Sequence, residues 1–247
     1  MPAVGFDKLA IDRDLLLGLP FKEGAGLITH DRAKPHHLLT QNVPGGGSFA
    51  WGNVISGCPY LQFIPIGGGA TDGVYLDCPA ADSVDMNFTS EDYSIGGWIN
   101  WGIGTSQSEI IIGRYRTEVD GWDIYLNGVS NTLSHRHHHS SLGAGNLKSE
   151  CFSAGWIPGT WDFFGVSRSG LYPVHYRNGL PLVMDYGGLT MLDPDTANRD
   201  VVMGARAVSL DANWYYDYMW NIRVWGRCLS DEEWKFLYDR ERHWFGV

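Results

Sequence analysis

The sequence predicts an all-β fold, a two-sheet antiparallel jelly-roll sandwich carrying one short C-terminal helix. Three observations lead there. The 32 glycines punctuate short stretches rich in Val, Ile, Trp, Tyr and Phe, as expected of many strands joined by turns. Several of those stretches alternate in polarity with period two, so that one face can be buried. Helical periodicity is confined to the last few tens of residues.

Taken in order, residues 1–14 place Phe6, Leu9 and Ile11 among charges. They read either as an ordered first strand or as an arm that adds to a neighbour's sheet edge. Leu15 to Leu19 is the first clear strand. The clusters Gly45-Gly46-Gly47 and Gly67-Gly68-Gly69 read as loops within one domain, because strand-like sequence resumes on both sides. Tyr93 to Trp101 is a central strand with Tyr93, Ile95, Ile99 and Trp101 on one face and Ser94, Trp98 and Asn100 on the other. Further strands are expected over Glu109 to Arg114, Trp122 to Leu126, Trp161 to Arg168, Val174 to Arg177, Leu180 to Met184, Val201 to Ala205 and Tyr218 to Trp225, enough for two packed sheets. Asn127-Gly128 and Asn178-Gly179 follow apolar strands and suit tight type I′ hairpins, since both residues tolerate positive φ. Ser230-Asp231-Glu232-Glu233 has the form of a capping box. Trp234, Leu237 and Tyr238 follow at i, i+3, i+4, so a helix over about 230–242 lays one apolar stripe on the sandwich. The tail, 243–247, is too apolar for water and either docks on its own domain or meets a partner.

The chain has 247 residues, within the range of one large β domain, here residues 15–242. A formal charge of −10 opposes nucleic-acid binding, which needs a basic footprint. No apolar run approaches the roughly 20 residues of a membrane span, so membrane insertion is not expected. The start lacks a basic segment followed by an apolar one, the mark of a secretory signal, which favours synthesis in a cytoplasm. Cys58, Cys78, Cys151 and Cys228 lie far apart with no C-x-x-C pair; free, buried thiols are expected, with one or two bridges as the alternative.

Six motifs in order resemble the laminin-G-like domains of the concanavalin-A-like superfamily. Leu15 to Gly26 is similar to the family's opening strand and acidic-glycine turn, and Tyr93 to Ile99 to its central strand. Trp161 to Arg168 matches its tryptophan-led strand, and Tyr176-Arg177-Asn178-Gly179 its hairpin. Val202 to Arg206 resembles "Ile-Gly-Ala-Arg", and Asn221 to Glu233 the last strand with its Arg-x-Leu-Ser exit. The resemblance implies a jelly roll, a fold shared by lectins, glycosidases, adhesion modules and virion parts. Stand-alone domains of this layout look like tailed-phage structural proteins. That implies a virion surface location after cytoplasmic synthesis in a bacterial host, with other virion proteins or copies of itself as partners. A capsid-decorating role further implies a symmetric oligomer, often a trimer.

Four groups of residues are candidates for chemistry. Glu118, Asp120 and Asp123 superficially match the Glu-x-Asp-x-x-Glu signature of laminarinase-type glycosidases, where paired carboxyls flank the scissile bond. Asp123 is shorter than the required Glu and Gly121 signals a turn, so solvated loop acids are the stronger reading. His135, His137 and His139 would share one face of an extended segment at zinc or nickel spacing. Arg136 within the cluster, the lack of a neighbouring acid or cysteine in sequence and the following Ser-Gly run favour an exposed loop. Calcium is the ion the family resemblance implies; Trp220 stands where the family often has Asp, and Asp217 could replace it only with a shifted register. No cofactor is otherwise required. Aromatic residues form 13% of the chain, and Trp98, Tyr125, Trp214, Tyr215, Tyr216, Trp244 and Phe245 are candidate contacts for a sugar or partner. No phosphate cradle, serine elbow or zincin helix is present. The expectation is a non-enzymatic binding or structural module on a phage virion, capsid decoration or adhesin, able to bind surface glycans. A lectin and a laminarinase-like hydrolase are the alternatives.

Overall fold

In a computed structural model of the chain, residues 10–54, 56–67, 72–102, 108–140, 148–186, 190–206 and 213–247 are described. The early strands are β1 (Leu15–Leu19), β2 (Ile28–His30), β3 (Leu38–Asn42), β4 (Ser48–Asn53), β5 (Pro59–Ile64) and β6 (Tyr75–Cys78). The middle of the chain supplies β7 (Tyr93–Trp101), β8 (Ser108–Arg116), β9 (Asp120–Asn127), β10 (Thr132–His138) and β11 (Lys148–Ala154). The last are β12 (Asp162–Ser169), β13 (Tyr172–Arg177), β14 (Leu180–Pro181), β15 (Val201–Met203) and β16 (Asp217–Trp225), followed by helix α1 (Asp231–Glu241).

Two antiparallel sheets result. The first runs β14-β13-β12-β7-β16-β5-β4, with β1 also paired to β16; the second runs β11-β10-β9-β8-β15-β6-β3-β2. The expected central strand is central: β7 lies between β12 and β16. Its period-two face of Tyr93, Ile95, Ile99 and Trp101 enters the core between the sheets, beside Trp122, Ile124, Leu126 and Leu133 of the second sheet. Trp98, on the other face, belongs to a separate cluster with Phe163, Trp225, Trp234 and Leu237 beneath the helix. Thus the first sheet is apolar on both faces, which explains how 11 tryptophans are absorbed.

The helix seats on a groove cut by glycine. Gly96 of β7 and Gly165 of β12 are register partners, and a Cβ on either would lie 2.6–2.8 Å from the Trp234 ring. The indole drops into that gap and donates from Nε1 to Ser167 Oγ at 2.8 Å. The helix starts as its capping box requires, with Ser230 Oγ accepting from the Glu233 amide and Glu233 accepting from the Ser230 amide.

The Asn178-Gly179 hairpin is as expected: two residues, both at positive φ (53° and 76°), join β13 to β14. Asn127-Gly128 is a correction. Residues 128–131 separate β9 from β10, because the Asn127 side chain accepts from the amides of Val129 and Ser130 and rounds the chain into a wider loop. The strand expected over Leu180 to Met184 stops at Pro181, after which pairing passes to a single bridge between Phe152 and Asp185. The four cysteines are free, three of them buried. No helix among the described residues is long and apolar enough to cross a membrane.

Residues 1–9 lie outside the described part; Ala10–Asp12 form a 3₁₀ turn whose Ile11 is buried. The tail docks on its own domain. Phe245 stacks on Trp98 at 4.2 Å and meets Trp161 at 4.5 Å, and Ser56 donates its hydroxyl proton to the Trp244 carbonyl.

Candidate functional site

Where the tail, helix and N-terminal turn converge on the first sheet they enclose a cleft of about 310 Å³. Its floor comes from β16. Pairing of β16 with β7 shifts register between Trp220 and Arg223, and Asn221 sits there at φ 50°, a β-bulge that inserts one residue and re-aims its neighbours. Met219, Ile222 and Val224 remain in the inter-sheet core, while Trp220, Asn221 and Arg223 all line the cleft. Strict alternation would have sent Asn221 inward.

Glu241, at the end of α1, organises that floor. Its carboxylate accepts from Trp98 Nε1 at 2.9 Å, Arg223 Nη2 at 2.9 Å and Asn221 Nδ2 at 3.0 Å. These bonds offset the unfavourable placement of an acid at a helix C-terminus. Burial lowers the Arg223 pKa, opposed by the charge of Glu241. Cys58, on the cleft wall, has its thiol pushed up to about 12 by burial and then by Glu241, so it is an inert neutral lining.

Two donors in this lining are left over. Trp220 Nε1 and Arg223 Nε are buried with no hydrogen-bond partner among the described residues, a cost of about 1–3 kcal/mol each unless an acceptor is supplied. Around them stand Lys22, Arg32 and Arg240, giving four cations with Arg223 against the carboxylates of Asp12 and Glu241. Arg32 reaches Asp12 at 3.2 Å, whereas Lys22 and Arg240 form no ion pair among the described residues. A cationic excess on a chain of charge −10 is a local attraction for anions. Trp244 forms part of the rim at 38% exposure.

The aromatic candidates from the sequence fall into three sets. Trp244 lines the cleft and Phe245 packs behind it, as just described. Tyr216, partly buried, donates its hydroxyl to the Gly67 carbonyl at 2.9 Å. Trp98, Tyr125, Trp214 and Tyr215 are corrections: all four are buried and unavailable as surface contacts. Trp98 and Tyr215 fill apolar clusters, and the Trp214 ring would overlap any Cβ at Gly73. Tyr125 lies under the Arg136 guanidinium, 4.1 Å from its ring centroid.

Of the acidic triplet, Asp123 serves structure. Glu118 occupies the β8–β9 turn at φ 59°, and Asp120 opens β9, a correction to its expected place in the loop. Asp123 is fully buried; its carboxylate binds the Arg136 guanidinium through both oxygens and accepts from His138 Nε2 at 3.0 Å. Although burial opposes it, the Arg136 charge and the His138 bond hold the Asp123 pKa down to about 2. A carboxylate so engaged is neither a nucleophile nor a proton donor.

The histidine run, expected as an exposed loop, is instead β10. His135 and His137 point inward and His138 outward, and His135, His137, His138 and His139 are all buried. Tyr93 Oη, not a metal, bridges His135 Nε2 at 2.7 Å and His137 Nε2 at 2.8 Å. His139 lies just past the strand, without a ring partner among the described residues. The one group of described residues with ligand atoms gathered at metal-binding range is His135, Cys151 and His175, all within 4.8 Å of one another. Asp217, the calcium candidate, begins β16 at φ 78°, accepts from the Gln62 side chain, and has its pKa raised by burial.

Sequence reasoning missed Lys22, Arg32, Trp220, Asn221, Arg223, Arg240 and Glu241 as one site. They come from four separate segments, and the only local signal was Asn221, a residue tolerant of left-handed φ, inside an otherwise alternating strand.

The two sheets define the chain as an antiparallel jelly-roll β-sandwich. No protein-family model and no curated protein matches the sequence. Among solved structures it is similar to the binding domain of botulinum neurotoxin serotype G, with TM-score 0.64, 13% identity, and 92% of this chain covering 51% of that one. The serotype C1 binding domain gives TM-score 0.65 at 12% identity over 93% of this chain and 52% of that one. The binding domain of Paraclostridial Mosquitocidal Protein 1 gives 0.61 at 12% over 93% and 53%. The chain spans about half the length of these structures, and at such identity the likeness is one of fold.

Proposed function

We propose that this chain is a non-enzymatic binding module whose cleft at β16, α1 and the tail takes an oxygen-rich, anionic glycan. The observation that carries this reading is the pair of buried, unpartnered donors, Trp220 Nε1 and Arg223 Nε, in an aromatic-rimmed cleft with surplus positive charge. Sugar hydroxyls and a carboxylate supply the acceptors those donors lack, and the Trp244 indole offers a flat apolar face to a pyranose ring. The fold comparison is in keeping with this: one similar structure, of botulinum neurotoxin type C, is described by the dependence of that toxin's uptake into cells on two ganglioside molecules. The order of the laminin-G-like motifs supports kinship with that family, and with it we place the module on a tailed-phage virion surface, with self-association or virion proteins as partners. No catalytic step is assigned, since Asp123 is committed to Arg136 and His138.

The test is a glycan array comparing sialylated with neutral oligosaccharides, followed by titration with Trp244→Ala and Arg240→Ala. Both residues are exposed, so melting temperature should hold while affinity for the acidic glycan falls at least about tenfold in Arg240→Ala, one lost charged contact being worth roughly 1.5–3 kcal/mol, and by a smaller factor in Trp244→Ala, which loses a stacking face. Uniformly absent binding, or binding untouched by either change, would overturn the assignment.

A further inference from the structure

A second site lies in the interior of the sandwich, on strands the cleft does not use. Cys151 of β11 and His135 of β10 are direct register partners, so their side chains stand side by side on the inward face. His175 reaches them from β13 of the opposite sheet, with its Nε2 3.8 Å from Cys151 Sγ. A trigonal ion with a metal–sulfur bond of about 2.3 Å and metal–nitrogen bonds of about 2.0 Å sets sulfur and nitrogen about 3.7 Å apart. That edge is already at its bonded length.

The hydrogen bonds around the group fix which lone pair is free. The Leu192 carbonyl can only accept, so His137 Nδ1, 2.7 Å away, carries the proton. Neutral His137 then has a bare Nε2, to which the Tyr93 hydroxyl donates at 2.8 Å. Having spent its only proton, Tyr93 accepts from His135 Nε2 at 2.7 Å. His135 Nδ1 is therefore an unprotonated lone pair, and it is buried with no partner among the described residues. On the other side, His175 Nδ1 is held by Ser153 Oγ at 2.9 Å, and Ser153 is in turn fixed by the Trp156 indole at 3.1 Å. His175 has its far nitrogen anchored and its near nitrogen at the sulfur, and His135 is anchored through Nε2 with Nδ1 left as its free donor, the second-shell arrangement that orients metal ligands.

We propose that His135, Cys151 and His175 form a buried three-coordinate site for a soft monovalent metal ion, Cu(I). One thiolate and two imidazoles are a soft donor set. The Cys151 S–H bond is replaced by a Cu–S bond and its proton leaves to solvent, so ion and thiolate sum to zero charge. A divalent ion would leave a net positive charge in the core, which is costly, the more so with the Arg168 guanidinium adjacent, 5.8 Å from the Tyr93 ring centroid. With all three ligands fully buried, the ion enters as the sandwich closes, and loading accompanies folding.

The experiment refolds protein purified without a nickel column from denaturant, anaerobically, with Cu(I) supplied against a competing chelator. The expected result is one ion per chain, a raised melting temperature, and X-ray absorption showing one sulfur and two imidazole nitrogens. Cys151→Ser and His175→Gln should each weaken uptake at least about tenfold, while His139→Gln and Cys228→Ser leave it unchanged. Copper bound equally by Cys151→Ser, or a sulfur-only coordination shell in the wild type, would assign uptake to the other thiols and overturn the site. Zn(II) displacing Cu(I) from the same ligands would overturn the charge argument. Should the variants fail to fold, the wild-type absorption spectrum decides alone.

Discussion

At the residue scale the chain spends buried charge where a sandwich of aliphatics would suffice. Asp123, Arg136 and His138 form a closed set on the second sheet, with Tyr115 stacked on His138 at 4.8 Å. Removing one member strands the others: Asp123→Asn should destabilise by about 3–5 kcal/mol in urea unfolding, the range for breaking a buried pair. By contrast Lys235 and Asp239 pair at the helix surface, and Lys235→Ala should change stability by less than about 0.5 kcal/mol. At this scale the sequence was only partly legible. His135 and His137 were visible as a spaced pair, but their fate depended on Tyr93, 42 and 44 residues away, and on Cys151 and His175 arriving from other strands. Sequence spacing exposes neighbours on one strand; it is blind to neighbours across two sheets.

At the element scale legibility is highest. The alternation of β7, the capping box of α1 and the Asn178-Gly179 turn each depend on contacts within a few residues, and each is found where local chemistry puts it. Ser230→Ala should cost about 1 kcal/mol by removing the cap, read as a drop in the urea midpoint at unchanged slope. Gly165→Ala belongs to the same scale. A Cβ there meets the Trp234 ring at 2.8 Å, so the helix must lift, with a loss of about 1–3 kcal/mol and a red shift of tryptophan fluorescence. The bulge at Asn221 is the element that alternation could not foresee, since one inserted residue alters which side chains face the helix without altering composition. Tyr125, Trp214 and Tyr215 were misplaced for the converse reason: aromatic richness marks core and contact surface alike.

At the scale of the whole molecule, the interior histidines couple stability to pH. Burial places the folded pKa values of His137 and His175 at about 3 and that of His135 well below 6.5, while the unfolded chain protonates near 6.5. Between those values the unfolded state holds more protons, so stability falls as pH falls from 6.5, by about 1.4 kcal/mol per pH unit for each such histidine. Asp123, lowered to about 2, extends the loss from about 3.8 down to about 2. His37 acts oppositely. Despite the burial that lowers it, Asp31 and Asp85 raise it to about 9, so its contribution is complete below 6.5 and lost as pH rises through 9. Urea midpoints followed from pH 9.5 to 4 should therefore peak between about 6.5 and 8 and drop steeply on the acid side. A flat profile from pH 7 to 5 would refute the neutral histidine core.

The tight hairpin at Asn178 bears on how the protein ages. Asparagine followed by glycine is the sequence most prone to lose its amide, because the next backbone nitrogen can close on the side-chain carbonyl. In Asn178 the side chain is held at both ends, accepting from the Phe163 amide at 2.9 Å and donating to Asp162 at 3.1 Å. A Cβ at Gly179 would lie 3.0 Å from Lys235 and Tyr238 of the helix, so the turn has little room to rearrange. The same dipeptide at Asn127 sits in a wider loop whose next residue, Val129, is 72% exposed. After prolonged storage at alkaline pH, peptide mapping should find amide-to-acid conversion at Asn127 well before Asn178, and unfolding the chain should make the two equally perishable.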